Sequence, residues 1–305
     1  MNATKKISGI IDKEDPPGGF NLPANRREIP PMIRVDDHQL PPGTVEGDGP
    51  FVHYSQPMKN LVRRARLLAA MDCPVLIQGE PGTGKDTVAR LIHLSSHRCR
   101  QPLIRIVCGT LPGTTGDDRA DHGGHSMAWK RLFPPEALPP GVQRGTLLLD
   151  NVDELPQSFQ SEILRLFNRK VESLKTHDPS DRDPFRILST TTKNNFATKM
   201  DQGSLIGELM HRLSSFVLNV PPLRERRADL NALIDIATEA VRREFHSVHT
   251  RSTPPVAISR EARKMLFNHS WPGNLHELRN TLARAILWSE GNTIEAAILR
   301  ETLLH

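Results

Sequence analysis

The chain has 305 residues, of which 37% are hydrophobic and 25% charged, a composition typical of a globular protein that buries a core. Its net charge of +5 comes from scattered basic residues, which favours a mildly cationic solvated surface over a dedicated nucleic-acid surface. No apolar run approaches the ~18 residues that a membrane-spanning helix needs, and the three cysteines show no metal-binding or disulfide spacing. Because no apolar stretch suitable for a secretory signal begins the chain, we expect a cytoplasmic protein without membrane contact.

Residues 1–50 contain the prolines of PPGG, IPPM and LPPG and few periodic apolar residues. Proline removes a backbone amide donor and fixes the backbone, so such a segment forms regular structure poorly. The sequence therefore predicts a disordered, proline-rich tail that lacks a packed core.

Downstream of this tail, strand-like and helix-like patterns alternate as far as about residue 228. The predicted elements, in chain order, are helix 58–68, strand 74–78, helix 87–96, strand 103–107, strand 146–150, helix 159–171, strand 185–189 and strand 216–218. Residues 109–144 show no regular pattern. Strands that alternate with helices indicate a parallel sheet with helices on both faces. The apolar spacing is helical from about Asp229 onward, so the sequence predicts an α/β domain over 51–228 and a smaller α-helical subdomain over 229–305.

The turn between the strand at 74–78 and the next helix matches the GxxxxGK spacing of phosphate-binding loops. Its glycines allow backbone amides to turn toward phosphate oxygens, the lysine adds a positive charge, and the helix that follows presents its positive end. The strand-turn-helix context makes this interpretation stronger than that of a plain surface turn. The residues predicted to bind nucleotide phosphates are Gly79, Glu80, Pro81, Gly82, Thr83, Gly84 and Lys85.

Two carboxylates and an amide are candidates for the metal and water side of this site. Asp86 stands where many phosphate-binding loops place a hydroxyl on Mg²⁺; it either meets the metal through water or is a first-turn acid favoured by the helix dipole. Asp150 ends a buried strand, where such sheets bind ligands, and is the predicted Mg²⁺ ligand, with a simple strand cap as the alternative. Asn151 follows it and can orient a water molecule but cannot take its proton.

Four segments together resemble one family. They are residues 79–93 (GEPGTGKDTVARLIH), 144–156 (RGTLLLDNVDELP), 211–230 (HRLSSFVLNVPPLRERRADL) and 271–280 (WPGNLHELRN). From about Phe51 to Leu282 the chain resembles the AAA+ domain of bacterial enhancer-binding proteins, the sigma-54-dependent transcription activators. The resemblance implies a P-loop AAA+ parallel sheet flanked by helices, a small α-helical lid, binding of ATP and Mg²⁺, ring assembly and a role in transcription.

The resemblance assigns roles at positions that match the family motifs. Lys85 and Asp150 match the phosphate and magnesium residues. Arg212 matches one of two arginines that reach the nucleotide of a neighbouring subunit. The second arginine, six residues earlier, is replaced by Ile206.

Other family positions are altered in this chain. Asn151 replaces the Walker B glutamate, Thr192 stands where a sensing asparagine ends its strand, and His276 replaces the sensor arginine. No GAFTGA loop, which grips sigma-54 in active members, is recognisable in residues 109–144. No helix-turn-helix follows the lid up to His305, so no DNA-binding domain of its own is evident.

These changes lead us to expect a nucleotide binder with weak or no ATPase activity. A positioned general base contributes about 10²–10⁴ in rate, and an arginine finger about 10³–10⁵, whereas the phosphate loop is intact. The predicted function is transcription regulation through protein partners, either as a homo- or hetero-oligomer with AAA+ relatives or through a sigma factor of RNA polymerase. Two alternatives stay open: an active sigma-54 activator with a divergent loop, and a non-enzymatic interaction protein with a relic nucleotide site.

Overall fold

The computed structural model describes residues 33–36, 51–111, 145–173, 185–192, 205–248, 256–289 and 293–303. Within these residues, the strands are β1 (Ile33–Asp36), β2 (Val75–Gln78), β3 (Leu103–Val107), β4 (Thr146–Asp150), β5 (Arg186–Thr191) and β6 (Phe216–Asn219). The α-helices are α1 (Gln56–Ala69), α2 (Lys85–Leu94), α3 (Gln157–Ser173), α4 (Leu205–Leu213), α5 (Arg227–Val248), α6 (Arg260–Asn268), α7 (Asn274–Trp288) and α8 (Ala296–Leu303). None of these helices is long and apolar enough to cross a lipid bilayer.

The six strands form one sheet in the order β1-β3-β4-β5-β2-β6. The five strands from β3 to β6 in this order are parallel, and β1 adds an antiparallel edge, with Ile33 opposite Ile106. The carboxyl ends of parallel strands meet at one edge of a sheet, where α/β proteins bind ligands. The phosphate-binding loop after β2 and Asp150 at the end of β4 therefore lie at the same edge, with β5 between their strands.

Helices cover both faces of the sheet, as the alternating pattern predicted. On one face, α3 and α4 bury apolar strand side chains that include Leu147 and Leu149. On the other face, α1 and α2 pack against Val75, Ile77 and Leu148. The two cores follow from the alternation of side chains along each strand, since neighbours in sequence point to opposite faces. The predicted parallel α/β fold is confirmed.

The carboxyl-terminal helices α5 to α8 build a third core around Trp271, which is 1% exposed. Its indole nitrogen donates to the carbonyl of Leu266 at 2.9 Å, which satisfies the polar atom of this buried side chain. Asp229, in the first turn of α5, accepts hydrogen bonds from the amides of Tyr54 and Ser55 and from the Ser55 hydroxyl. The start of α1 is thus held by a carboxylate from the helical region, because the first amides of a helix have no partner within it.

The observed elements differ from the predicted ones mainly at their ends. Helix α2 begins at Lys85, directly after the glycines, instead of at residue 87, and β5 extends to Thr191. Helix α5 begins at Arg227, two residues before the predicted start of helical spacing. Two elements were not predicted: strand β1, inside the segment predicted as a tail, and helix α4, between the last two predicted strands.

Candidate nucleotide-binding site

The phosphate-binding loop has the backbone that its glycines permit. Gly82 and Gly84 have φ of 74° and 93°, in a region of backbone conformation that residues with a side chain rarely adopt. A Cβ atom on Gly82 would also lie 2.5 Å from the carbonyl oxygen of Gly273. Glycine is therefore required at residue 82 both by the turn and by the close approach of the helical region.

Lys85, the first residue of α2, points back into this loop. Its Nζ donates to the carbonyls of Gly79 at 3.1 Å and Glu80 at 3.2 Å, and the residue is 8% exposed. Burial lowers the pKa of Lys85, and the negative charge of Asp150 opposes this effect. The loop thus holds a buried ammonium group at the amino end of a helix, an arrangement suited to anionic oxygen atoms.

The first turn of α7 lies directly on the loop. The amide of Leu275 donates to the carbonyl of Gly82 at 2.9 Å, and the side-chain amide of Asn274 donates to the carbonyl of Pro81 at 3.0 Å. The same amide lies 3.2 Å from a carboxylate oxygen of Glu80, and its oxygen accepts from the amide of Leu223 at 2.7 Å. His276, the next residue of this turn after Leu275, is exposed.

Two arginines from the segment between β6 and α5 also contact the loop. Arg224 pairs with both carboxylate oxygens of Glu80, at 2.8 and 2.6 Å, and lowers the pKa of that carboxyl. Arg226 is 3% exposed and donates to the carbonyl of Thr83 at 2.8 Å. Burial lowers the pKa of Arg226 to about 10. These contacts fix the loop from the side of the helical region.

The carboxylate of Asp150 contacts two neighbouring strands. Arg105 of β3 donates to Asp150 Oδ2 from Nη2 at 2.5 Å and from Nε at 3.1 Å. The hydroxyl of Thr190, on β5, donates to Asp150 Oδ1 at 2.5 Å. Arg105 Nη2 also lies 2.7 Å from Asp86 Oδ2, so one guanidinium bridges the carboxylates of Asp86 and Asp150.

This arrangement does not fit Mg²⁺ as the family resemblance implies it. Mg²⁺ requires oxygen ligands at about 2.0–2.1 Å in near-octahedral geometry. Both oxygens of Asp150 and one of Asp86 are engaged by Arg105 and Thr190, and the family hydroxyl at residue 86 is absent. Among the described residues, no three His, Cys, Asp or Glu side chains are grouped so that they could hold a metal ion.

The residues that follow Asp150 and β5 complete this edge of the sheet. Asn151 is partly buried and has φ of 51°, and its backbone amide donates to the Thr190 hydroxyl at 2.9 Å. Asp153 is 1% exposed and accepts from the hydroxyl of Thr191 at 2.8 Å. Thr192 follows β5, and its carbonyl lies 3.3 Å from the same hydroxyl. The side chain of Asn151 ends in an amide, which accepts no proton at neutral pH, so this position supplies no general base.

Comparison with known proteins places this site in a family. A family model described as the sigma-54 interaction domain matches residues 52–223, more than half of the chain. The chain belongs to the sigma-54 activator family. A second model, described as the AAA+ ATPase lid domain, matches residues 224–305. The part of the chain that matches the lid therefore includes Arg224 and Arg226, which contact the phosphate loop.

Individual relatives agree with this membership. The chain is 34% identical over 265 residues to the response regulator protein FleR of Pseudomonas aeruginosa, covering 85% of this chain and 53% of FleR. It is 28% identical over 257 residues to the Nif-specific regulatory protein of Azotobacter vinelandii, covering 82% of this chain and 47% of that protein. The chain therefore spans about half the length of these curated relatives.

Solved structures of NtrX from Brucella abortus have a similar fold. The structure in complex with ATP has a TM-score of 0.64 at 25% identity, and the match covers 81% of this chain and 53% of that chain. The structure in complex with ADP gives the same TM-score and identity over 81% of this chain and 54% of that chain. NtrX, whose fold is similar to that of this chain, thus forms complexes with both ATP and ADP.

Arg212, which the family resemblance assigns to a neighbouring subunit, contacts its own chain here. Its guanidinium donates to Asn168 at 2.9 Å and to Glu208 at 3.0 Å, and its side chain is 34% exposed. Asn168 lies on α3, so the guanidinium of Arg212 links α4 to the neighbouring helix of its own chain. The side chain of Ile206 and the segment expected to hold the sigma-54 loop lie outside the described residues.

Sequence reasoning missed several residues of the site, among them Arg105, Thr190 and Asn274. Arg105 was assigned only to a strand, although a basic residue inside the apolar run LIRIV was a usable signal. Thr190 lies in a strand with no visible motif. Asn274 belongs to the family motif WPGN, but its contacts with the phosphate loop depend on the position of the lid.

Proposed function

We propose that this chain is a nucleotide-binding AAA+ regulator of sigma-54-dependent transcription that turns over ATP slowly or not at all and acts through protein partners. The proposal rests on a difference between two parts of the site: the residues that follow β2 are suited to bind phosphate, whereas those that follow β4 are not suited to hydrolyse it. The phosphate loop keeps its backbone geometry and the buried Lys85, whereas Asn151 stands in place of the family glutamate.

In this proposal, the loop residues 79–85 bind the phosphates of ATP or ADP. The nucleotide complexes of NtrX support the adenine nucleotide as ligand. Thr192, directly after β5, and His276, on the first turn of α7, are the proposed neighbours of the nucleotide. Mg²⁺, which the resemblance implies and Asp150 would hold, does not fit the contacts that Asp150 makes with Arg105.

The slow turnover follows from what the residues at the end of β4 can do. Hydrolysis needs a group that orients water and accepts its proton, worth about 10²–10⁴ in rate. The side-chain amide of Asn151 can orient a water molecule, but it has no basic atom at neutral pH. Losses of this kind do not multiply, because catalytic residues act as a unit.

Arg212 is the proposed contact to a partner subunit. Its guanidinium is one-third exposed and is held by Glu208, four residues earlier on the same helix. An exposed pair at this spacing contributes little to stability, so Arg212 can exchange Glu208 for the phosphates of a neighbour at low cost. In a mixed ring, this chain would supply Arg212 to an intact AAA+ relative and regulate its activity.

Two measurements on the purified chain test the proposal. Thermal unfolding with and without ATP or ADP detects binding, because a ligand at 100 times its Kd stabilises the fold by about 2.7 kcal/mol. Steady-state ATP turnover over a range of protein concentrations detects hydrolysis. We expect nucleotides to raise the Tm of the wild type and of Lys59→Ala, a variant of an exposed lysine on α1, but not of Lys85→Ala.

We expect turnover by the wild type to match that of Lys85→Ala at every concentration. Turnover that rises more than linearly with protein concentration and vanishes in Lys85→Ala would instead favour an active sigma-54 activator with a divergent loop. A Tm unchanged by nucleotide in all three proteins would favour an interaction protein with a relic site.

A further inference from the structure

The bridge between Asp86, Arg105 and Asp150 joins two departures from the P-loop pattern that are far apart in sequence. Asp86 puts a carboxylate where a metal-binding hydroxyl is usual. Arg105 puts a guanidinium in the middle of an otherwise apolar strand, β3. Their side chains meet at 2.7 Å. The carboxylate of Asp86 and the guanidinium of Arg105 therefore compensate each other's charge.

Either change alone would be unfavourable at this place. Without Arg105, Asp86 would face the carboxylate of Asp150, and the charge of Asp150 already raises the pKa of Asp86 in addition to burial. Without the two carboxylates, Arg105 would place a cation at the edge of an apolar sheet without compensating charge. The paired presence of both residues indicates a site built around an internal cation.

The position of this cation is set by the sheet. Strands β3 and β4 are parallel, with Arg105 opposite Leu148 and Val107 opposite Asp150. The long side chain of Arg105 therefore extends along the strands by two residues to reach the Asp150 carboxylate at the carboxyl edge. There, its Nη2 lies within 2.7 Å of an oxygen of each carboxylate, between the end of β4 and the first turn of α2.

The charges of the site balance without a metal ion. The charged groups that act on Lys85 and Asp86 balance when both are included: three are positive (Lys85, Arg90 and Arg105) and three are negative (Asp86, Asp150 and Asp153). A divalent cation between the carboxylates would have to displace the guanidinium from three contacts or lie beside it as a second cation in a partly buried place. Both alternatives are costly, because nearby like charges repel strongly where water is partly excluded.

We propose that the Arg105 guanidinium takes the place of Mg²⁺ between Asp86 and Asp150, and that this chain binds adenine nucleotides in their metal-free form. The inference rests on the proposed nucleotide binding and specifies the form of the ligand. Arg105 is then a residue that determines metal dependence: it supplies a fixed positive charge next to Lys85, where a bound metal would otherwise supply a removable one.

The test compares binding of ADP and ATP to the wild-type chain by isothermal titration calorimetry in Mg²⁺ and in EDTA. The expected binding is at least as tight in EDTA as in Mg²⁺, because Mg²⁺ bound to the free nucleotide competes with a site that takes the metal-free form. A metal-dependent site would instead bind roughly tenfold more weakly in EDTA for each lost contact of 1.4 kcal/mol. Binding that weakens by tenfold or more in EDTA overturns the inference alone. Binding in neither condition overturns the proposed nucleotide binding as well. This comparison needs no variant, so it does not depend on a variant's folding.

A double variant, Asp86→Thr with Arg105→Ala, restores the hydroxyl and removes the internal cation. We expect its ADP binding to become at least about tenfold weaker in EDTA than in Mg²⁺. Arg100→Ala, at an exposed arginine five residues before Arg105, is the matched control and should bind ADP at least as tightly in EDTA as in Mg²⁺, like the wild type. Thermal unfolding confirms that each variant is folded.

Binding of Mn²⁺ provides a second readout that does not rest on a comparison of nucleotide Kd values. Electron paramagnetic resonance of Mn²⁺ with ADP and protein distinguishes ions held by the protein complex from free ions. We expect no protein-held Mn²⁺ in the wild type and one ion per chain in the double variant. One ion per wild-type chain would overturn the inference.

Discussion

The two halves of the candidate site differ in what they are made of. The phosphate half, residues 79–85 with the first turn of α7, consists mainly of backbone amides and carbonyls, and its only buried charge is Lys85. The carboxylate half, at the ends of β4 and β5, consists of side chains: Asp86, Arg105, Asp150 and Asn151. Backbone geometry survives changes of residue type as long as the glycines remain, whereas chemistry that depends on side chains is lost by single substitutions. Binding and hydrolysis can therefore diverge within one site.

Replacement of Asn274 would remove contacts between the lid and the phosphate loop. Asn274→Ala removes the four hydrogen bonds of a fully buried side chain and leaves alanine at φ of 54°. We expect the free energy of unfolding to fall by about 3 kcal/mol, since each bond contributes about 0.5–1.5 kcal/mol and the left-handed backbone about 1 kcal/mol. Chemical denaturation measures this change.

The matched control is Asn280→Ala, at an exposed asparagine of the same helix, which should change stability by less than about 0.5 kcal/mol. Asn274→Gly separates the two causes, because it relieves the backbone but not the lost hydrogen bonds. If Asn274→Ala were as stable as the control, the lid would not hold the phosphate loop as described.

His93 links helix α2, which follows the phosphate loop, to strand β4, which ends at Asp150. Its Nδ1 lies 2.9 Å from the Thr146 hydroxyl, the residue is 4% exposed, and burial lowers its pKa from 6.5 to about 4. As pH falls, the unfolded chain therefore protonates His93 near pH 6.5, before the folded chain does. The stability that is present above pH 6.5 is lost as pH falls toward 4. Between pH 7 and 5 we expect a loss of about 2 kcal/mol.

Urea denaturation at a series of pH values measures this loss, with His93→Gln as the comparison. Glutamine keeps polar atoms near Thr146 but does not titrate, so the slope between pH 6.5 and 5 should flatten in the variant. An unchanged slope would show that other groups cause the acid sensitivity.

Thr190→Val tests the carboxylate half without changing side-chain shape. It removes the hydroxyl that donates to Asp150 and accepts from the amide of Asn151. We expect stability to fall by about 1–2 kcal/mol, because two buried polar groups lose a partner. Nucleotide binding, measured by calorimetry, should stay close to that of the wild type. A large loss of binding would mean that the two halves do not act separately.

Asn151→Glu should have the smallest effect, although it restores the family residue. A general base is worth about 10²–10⁴ in rate, but the internal cation at Arg105 leaves the surroundings of the phosphates unlike those of an active relative. We expect steady-state ATP turnover to remain at the level of the Lys85→Ala background. A hundredfold rise would show that only the base is missing and that the carboxylate half is otherwise intact.

Much of the fold followed from local pattern. The apolar runs of β2 to β6 and the helical spacing of α1 to α3 predicted the parallel sheet, and the glycine spacing predicted the phosphate loop. Strand β1 escaped because its four residues lie among prolines and are too short for a periodic signal. Its pairing partner, β3, is about seventy residues away, so only the assembled sheet identifies it.

The contacts of the site were harder to predict than its members. Asp150 was identified from its strand, but its ion pair with Arg105 spans 45 residues and depends on which strands are neighbours. The contact of Asn274 with Glu80 spans 194 residues and depends on the position of the lid. A single sequence shows which residue types are present at each motif, and it does not show which of them neutralise one another.

Strand β1 also takes the rim position of the sheet away from β3. A strand at the rim of a sheet exposes unpaired amides and carbonyls that can recruit a strand from another molecule. The antiparallel pairing of Ile33–Asp36 with Leu103–Ile106 covers that rim of β3, the strand that carries Arg105. In a fragment that begins at Phe51, β3 itself would be the rim strand, so we expect such a fragment to keep the phosphate loop but to associate with itself through β3.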